Sequence, residues 1–162
     1  MRWHDYLQAD FLGPREWVLT ESLTFEIEKS RVADIVNSIS IWKLTDLKIR
    51  ETDDLILITA PVGYKTDLAS ISRAMWSIIS PWDVARGAVI HDALYGAIRK
   101  RKEQGALDKT SIKSLRKQAD DIFKLGMESA EPKIPTWKVA SCYYSVRGFG
   151  WTSINKKAKF NN

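Results

Sequence analysis

The chain has 162 residues, 44% of them hydrophobic, with seven tryptophans and a net charge of +5. This length and composition predict one folded domain with a substantial core and exclude a disordered tail. The longest apolar runs are too short to cross a bilayer, so we expect no membrane span. Cys142 lies in an apolar stretch and is predicted to be a buried thiol without a disulfide partner.

The basic excess is concentrated in two runs, Arg99–Lys102 and Lys156–Lys159. Runs of like charge are usually solvated turns, and aromatic residues of the kind that stack on bases do not alternate with these lysines and arginines. Nucleic acid is therefore a weaker alternative as a partner than other proteins.

The first sixty residues are predicted to be mostly strands with one helix. Apolar residues alternate with polar ones over Trp17–Glu28, which is typical of a half-buried strand. Helical spacing over Val32–Ile39 predicts a helix, with Ser30 as its N-cap. Leu47–Arg50 and Leu55–Thr59 flank a polar turn and indicate a hairpin.

The remainder is predicted to be helical, with breaks at prolines and glycines. The predicted helices cover Ser72–Ile79, about Trp82–Ile98, about Ser111–Ala130, and Trp137–Arg147 with Gly148 closing it. The last of these is apolar almost all round and is expected to be deeply packed. The fold class is therefore α+β, a small N-terminal antiparallel sheet packed with a C-terminal helical cluster in one domain. Within the single domain of residues 1–162, residues 1–60 are predicted to form strands and one helix. Residues 61–151 are predicted to be the helical region, and residues 152–162 a basic tail.

Polar residues interrupt the apolar pattern of the helical region. His91 and Tyr95 fall on the apolar face of one predicted helix, and Asp92 is rotated by about 100° toward a neighbouring element. On the next helix, Arg116 precedes Asp120 by one turn and is placed to pair with it. A polar group at a core position needs a partner or a function.

Two interpretations of these residues stay open. In the structural one, Asp67 and Ser70 cap a short helix, His91 is a hydrogen-bonded core histidine, and Asp120 pairs with Arg116. In the catalytic one, Asp67, His91, Asp92 and Asp120 converge on a pocket, where they hold zinc, manganese or magnesium and activate water. Because an ion pair would already satisfy Asp120, we expect no tightly bound metal and no other cofactor.

Several segments together resemble a family of small proteins encoded by tailed phages and prophages, catalogued as the domain of unknown function numbered thirteen fifty-three. The resembling segments are Thr66-Asp-Leu-Ala-Ser-Ile-Ser-Arg73, His91-Asp-Ala-Leu-Tyr95, Arg116-Lys-Gln-Ala-Asp-Asp-Ile-Phe123 and Tyr143-Tyr-Ser-Val-Arg-Gly-Phe-Gly150. Tyr64 stands where that family has Phe, and Ser72 where it has Pro. The resemblance implies a phage origin and the importance of its motif residues, Asp67, Ser70, His91, Asp92, Tyr95 and Asp120.

The function expected from these observations is that of a virion-associated structural or accessory protein, a module of a tail, neck or capsid that binds other virion proteins. Trp3, Trp17 and Trp151 would suit interface anchors. The alternative is a metal-dependent hydrolase acting on cell-wall material during penetration or lysis, and a third option is a modulator of a host protein. The expected location is the virion or the host cytoplasm.

Overall fold

Two small antiparallel sheets and three helices form the described part of the chain in the computed structural model. Described are residues 1–14, 16–33, 42, 46–66 and 81–154, of which 81–83 and 153 are described by their backbone alone. The predicted helix over 72–79, most of the one over 32–39, and the site candidates Asp67 and Ser70 lie outside these residues.

The first sheet has four strands and carries one side of the core. Its strands are β1 (Arg2–Trp3), β4 (Leu23–Glu28), β5 (Lys48–Glu51) and β6 (Leu55–Ala60), in the spatial order β1-β4-β6-β5. Alternate residues of β4 and β6 are buried, with Phe25 opposite Ile58. The predicted hairpin is confirmed as the antiparallel pair β5 and β6.

The second sheet has three strands in the order β2-β3-β7 and contains the first part of the strand predicted over Trp17–Glu28. That predicted strand is two strands in the structure. The sheet consists of β2 (Ala9–Gly13), β3 (Glu16–Leu19) and β7 (Lys65–Thr66). The polar residues 20–22 separate β3 from β4, and the backbone of Leu19 instead bonds with Tyr64 and Gly63. Gly63 has a φ of 81°, a conformation that a side chain would disfavour.

The N-terminal strands lead into a single 3-10 turn before residue 33. This turn, Lys29–Arg31, contains Ser30, and the helix that Ser30 is predicted to cap lies mostly outside the described residues. The residue preceding the turn, Glu28, ends β4 in an extended conformation.

The helices are α1 (Pro81–Glu103), α2 (Lys109–Glu128) and α3 (Thr136–Ile154). Asp108 caps α2 by accepting a hydrogen bond from the Ser111 amide at 2.7 Å. The run Arg99–Lys102 lies in the last turns of α1 rather than in a loop, because long basic side chains favour helix and complement the C-terminal end of its dipole. Gly105, with a φ of 68°, follows the helix end.

The third helix differs most from the prediction. It does not end at Gly148 but runs on to Ile154, and φ at Gly148 is not positive. Only one side of it is buried, through Val139, Cys142 and Val146. Trp137, Tyr144, Phe149 and Trp151 are exposed, so the expectation of deep packing all round is wrong.

The core lies between the first sheet and α1 and α2, and a smaller apolar cluster joins α1, α2 and α3. Trp3 connects the sheet to the helices: its ring stacks on Phe25 at 4.4 Å, and its Nε1 donates to the Gly126 carbonyl at 3.0 Å. Where α1 and α2 cross they are close, since a Cβ at Gly126 would lie 3.5 Å from the Gly87 Cα. None of the described helices is apolar enough over sufficient length to span a membrane.

Candidate functional site

The candidate site begins on α1, where His91 and Tyr95 lie one turn apart on the buried face. Their rings are in contact, with centroids 4.3 Å apart, and the Phe123 ring lies 5.0 Å from the imidazole on another side. Gly87 makes room for Phe123, because a Cβ there would approach its ring to 3.1 Å. These contacts fix the direction of both polar side chains toward α2.

Both side chains converge on Asp120 of α2, which is fully buried. His91 Nε2 lies 2.8 Å from Asp120 Oδ1, and the Tyr95 hydroxyl donates to the same oxygen at 2.8 Å. Because an ionised carboxylate only accepts, Nε2 is the ring nitrogen that carries a proton here. In the described part of the chain, the other ring nitrogen, Nδ1, has no hydrogen-bond partner.

The third helix supplies the cation of the site. Arg147 donates from a terminal guanidinium nitrogen to Asp120 Oδ2 at 2.7 Å. Asp120 thus accepts three hydrogen bonds, two of them from α1 and one from α3. We refer to Asp120, His91, Tyr95 and Arg147 as the Asp120 network.

The predicted ion pair between Arg116 and Asp120 is wrong. The buried Arg116 side chain instead reaches α3, where it donates to the Arg147 carbonyl at 3.4 Å and lies over the Trp151 ring at 5.7 Å. A spacing of one turn allows a pair on a solvent-exposed helix face, but here a third helix provides other partners for both residues.

The approach of Arg116 and Tyr95 to α3 depends on Gly150. A Cβ at this position would meet the Tyr95 hydroxyl, and would lie 3.0 Å from an Arg116 terminal nitrogen. Only glycine therefore allows α3 to pack this closely against the network.

Asp92 belongs to a second polar contact, apart from the Asp120 network. It is buried and accepts a hydrogen bond from the Thr66 hydroxyl of β7 at 3.0 Å. The prediction that Asp92 points toward a neighbouring element is confirmed. Of the four proposed catalytic residues, the structure joins His91 to Asp120 and directs Asp92 elsewhere, and Asp67 is outside the described residues.

Electrostatics favour the ionised form of the Asp120 carboxylate. Burial by itself raises the pKa of Asp120, but hydrogen bonds from His91, Arg147 and Tyr95 outweigh burial and hold that pKa below its ordinary value of 3.8. Burial and the adjacent Asp120 charge raise the pKa of Tyr95, so its hydroxyl remains a donor. Burial lowers the pKa of Arg147, and the Asp120 carboxylate reverses this and raises it.

The donor set of the network bears on metal binding. Asp120 already binds a guanidinium, and among the described residues no three His, Cys, Asp or Glu side chains are grouped as metal ligands. Burial raises the pKa of Cys142 to about 11, which keeps this thiol protonated and poorly nucleophilic.

Sequence reasoning missed Arg147, Thr66 and Gly150 as parts of these contacts. The available signal for Arg147 was its charge, since α3 carries only Lys138 and Arg147 as charged residues. No pattern in the sequence identifies Gly150 as a contact of Tyr95, because the two are 55 positions apart.

The fold and site together define an α+β protein whose three helices share one buried carboxylate. The chain belongs to the family described as Protein of unknown function (DUF1353), whose family model matches residues 42–146. That range includes His91, Asp92, Tyr95, Arg116 and Asp120 and ends one residue before Arg147. No curated protein and no solved structure matches the chain.

Proposed function

We propose that this chain is a structural or accessory protein of a tailed-phage particle, a tail, neck or capsid module that binds other virion proteins. The observation that carries the proposal is the enclosure of Asp120: its carboxylate is fully buried and accepts from three side chains of two other helices. Such a network fixes helix positions and offers a substrate little access to the carboxylate.

The surface supports a binding role. Several large apolar side chains are more than half exposed, and such residues mark interaction sites when they are grouped. They are Tyr6, Phe11, Leu12, Val62, Trp137, Tyr144 and Phe149. Of the tryptophans expected as anchors, Trp151 is 48% exposed, whereas Trp3 and Trp17 are half-buried. The phage assignment itself derives from the motif resemblance.

Proteomics of purified virions tests this proposal. Particles of the phage that encodes the chain would be banded by density and digested, with the major capsid protein as the reference and a phage replication enzyme as the contamination control. We expect this chain at a constant ratio to the capsid protein across gradient fractions. Recovery only from the lysate, together with the replication enzyme, would overturn the proposal and favour the host-modulator option.

A second candidate is the hydrolase acting on cell-wall material, with a divalent metal as its cofactor. One observation favours a catalytic site: Asp120 orients His91 through Nε2, while Nδ1 has no partner within the described part of the chain. An imidazole held by a carboxylate is the arrangement of a general base.

A matched pair of variants separates the two candidates. His91→Ala and Tyr95→Phe each remove one donor from Asp120 Oδ1, but only the first removes a base. If the chain is an accessory protein, we expect wild-type protein supplied with zinc or manganese to release no soluble fragments from purified cell walls. We also expect His91→Ala to lower the free energy of unfolding by about 1–3 kcal/mol. Wall degradation by wild type and Tyr95→Phe, with none by folded His91→Ala, would establish the hydrolase.

A further inference from the structure

The exposed side of α3 carries an uncharged stripe of alternating large and small residues. It consists of Trp137, Ser141, Tyr144, Gly148 and Trp151, which share one helix face at spacings of four and three. We refer to these five residues as the α3 stripe. Trp137, Tyr144 and Trp151 are 58%, 71% and 48% exposed, and the buried residues Val139, Cys142 and Val146 lie on the opposite side of the helix.

We propose that the α3 stripe is a homodimer interface, in which α3 of one copy packs antiparallel against α3 of a second copy. The large residues repeat every seven positions, about 10.5 Å apart along the helix axis. A seven-residue repeat keeps one seam facing a partner helix when the two wind about each other with a left-handed twist.

Shape makes the stripe complementary to itself. A two-fold axis between residues 142 and 143 places Trp137 opposite Gly148 of the second copy, and Tyr144 opposite Ser141. Two of the three large rings then face a small residue, whereas Trp151, which lies under the Arg116 guanidinium, falls opposite position 134, before the start of α3 in the second copy. The notch at Gly148 is open, because a Cβ built there meets no atom within 4 Å.

Charge also permits this pairing. No residue of the stripe is charged, and α3 has no acidic residue and only two basic ones. Arg147 is neutralised by Asp120, and the Lys138 amino group lies over the Trp137 ring at 5.9 Å. Neither cation therefore stands unpaired on the seam.

The exposed rings supply part of the area that a dimer needs. The three aromatic side chains of the stripe offer roughly 300–400 Å² per copy. An interface of standard size buries about 800 Å² on each partner. The rings alone thus supply close to half of that area, and the remainder has to come from residues beside the stripe. The pairing requires neither a virion nor an enzymatic activity.

Sedimentation velocity of the full chain, from about 1 to 100 μM, tests the proposal. We expect a reversible monomer–dimer equilibrium in wild type. Gly148→Gln fills the notch and replaces a helix glycine by a better helix former, so the fold is kept while the dimer dissociation constant rises at least about tenfold. Tyr144→Ala is expected to weaken the dimer by a similar factor. Ser114→Gln, at an exposed position of α2, is the matched control and leaves the constant unchanged.

Thermal melts at 1 μM or below check that both stripe variants fold as monomers. A wild-type chain that remains monomeric up to about 100 μM would overturn the proposal. So would a dimer that is insensitive to Gly148→Gln and Tyr144→Ala. A monomer that binds single-stranded oligonucleotides through these rings would also overturn it and assign the stripe to base stacking.

Discussion

Asp120 is a carboxylate that the fold has removed entirely from water. Such a group is costly unless its charge is compensated, and the cost of removing one partner exceeds the net value of the intact pair. Its three hydrogen bonds, all at 2.7–2.8 Å, are within the range of strong charge-assisted bonds. The energetic role of each donor is therefore best measured by deleting one group at a time.

Asp120→Asn is expected to cost about 3 kcal/mol at neutral pH, because the Arg147 guanidinium loses its counter-charge. The pKa of Asp120 is lowered in the folded protein, so its stabilising contribution is complete above pH 3.8 and is lost as the pH falls through the folded-state pKa. Urea unfolding of wild type between pH 2 and 7 should show this acid loss, and Asp120→Asn should show a shallower one. Parallel pH profiles for the two proteins would contradict the assignment.

Gly150 and Gly148 form a matched pair on one helix. Gly150→Ala is expected to destabilise by about 1–3 kcal/mol, because its Cβ meets the Tyr95 hydroxyl and Arg116. Gly148→Ala enters open space and is expected to stabilise the monomer by about 0.5–1 kcal/mol. Urea unfolding of dilute protein measures both.

The Tyr95→Phe background identifies the cause of the Gly150→Ala effect. Phenylalanine lacks the hydroxyl that the new Cβ would meet, so the cost of Gly150→Ala should be smaller there than in wild type. Equal costs in the two backgrounds would show that the hydroxyl contact is not responsible.

At the scale of elements, local patterns predicted α1, α2 and the β5–β6 hairpin well, because their apolar periodicity reflects one buried face each. They also placed His91 and Asp120 as buried polar residues on neighbouring helices. The local patterns predicted an ion pair between Asp120 and Arg116, because these two residues are close in sequence. The residue that pairs with Asp120 is Arg147, which lies on a different helix. Which helix supplies a cation depends on tertiary packing, and one sequence does not contain that information in any local pattern.

Trp3 connects β1 to the end of α2, and a substitution at this position can test the contact. Its indole donates to the Gly126 carbonyl in the last turn of α2, one of the carbonyls that lack an intrahelical partner. Trp3→Phe retains ring packing on Phe25 but loses this bond, and should cost about 1 kcal/mol in urea unfolding. Trp17→Phe is the control and should cost less, because within the described residues the Trp17 ring contacts Phe11 and its indole makes no hydrogen bond. Equal losses would argue against the hydrogen bond.

At the scale of the whole molecule, the α+β class and the single domain followed from composition and from the order of strand and helix patterns. The division of the strands into two sheets did not, because among the described strands β2 and the two-residue β7 both pair with β3, which is a non-local contact for β7. The exposed side of α3 was missed for a related reason. An apolar helix has the same sequence whether it is covered on all sides or left partly open.

The metal content of the whole chain can be measured directly. Protein purified without chelator is expected to contain well under one equivalent of zinc or manganese, since Arg147 already neutralises Asp120. Elemental analysis by mass spectrometry provides the measurement. Near-stoichiometric metal that is lost in His91→Ala would reverse this expectation and promote the hydrolase.

The contact between Trp3 and Gly126 also constrains the order of events during synthesis. The two residues are separated by 123 positions, so the indole bond must wait for almost all of α2 to be translated. At about 5–20 residues per second, this delay lasts roughly 6–25 s. Until then the Trp3 indole lacks its acceptor, the carbonyl at the end of α2. Among the described strands, β1 pairs with β4 alone. The core face of the N-terminal sheet therefore lacks its α2 cover until late in synthesis, which lengthens the time during which its apolar residues can associate with other surfaces.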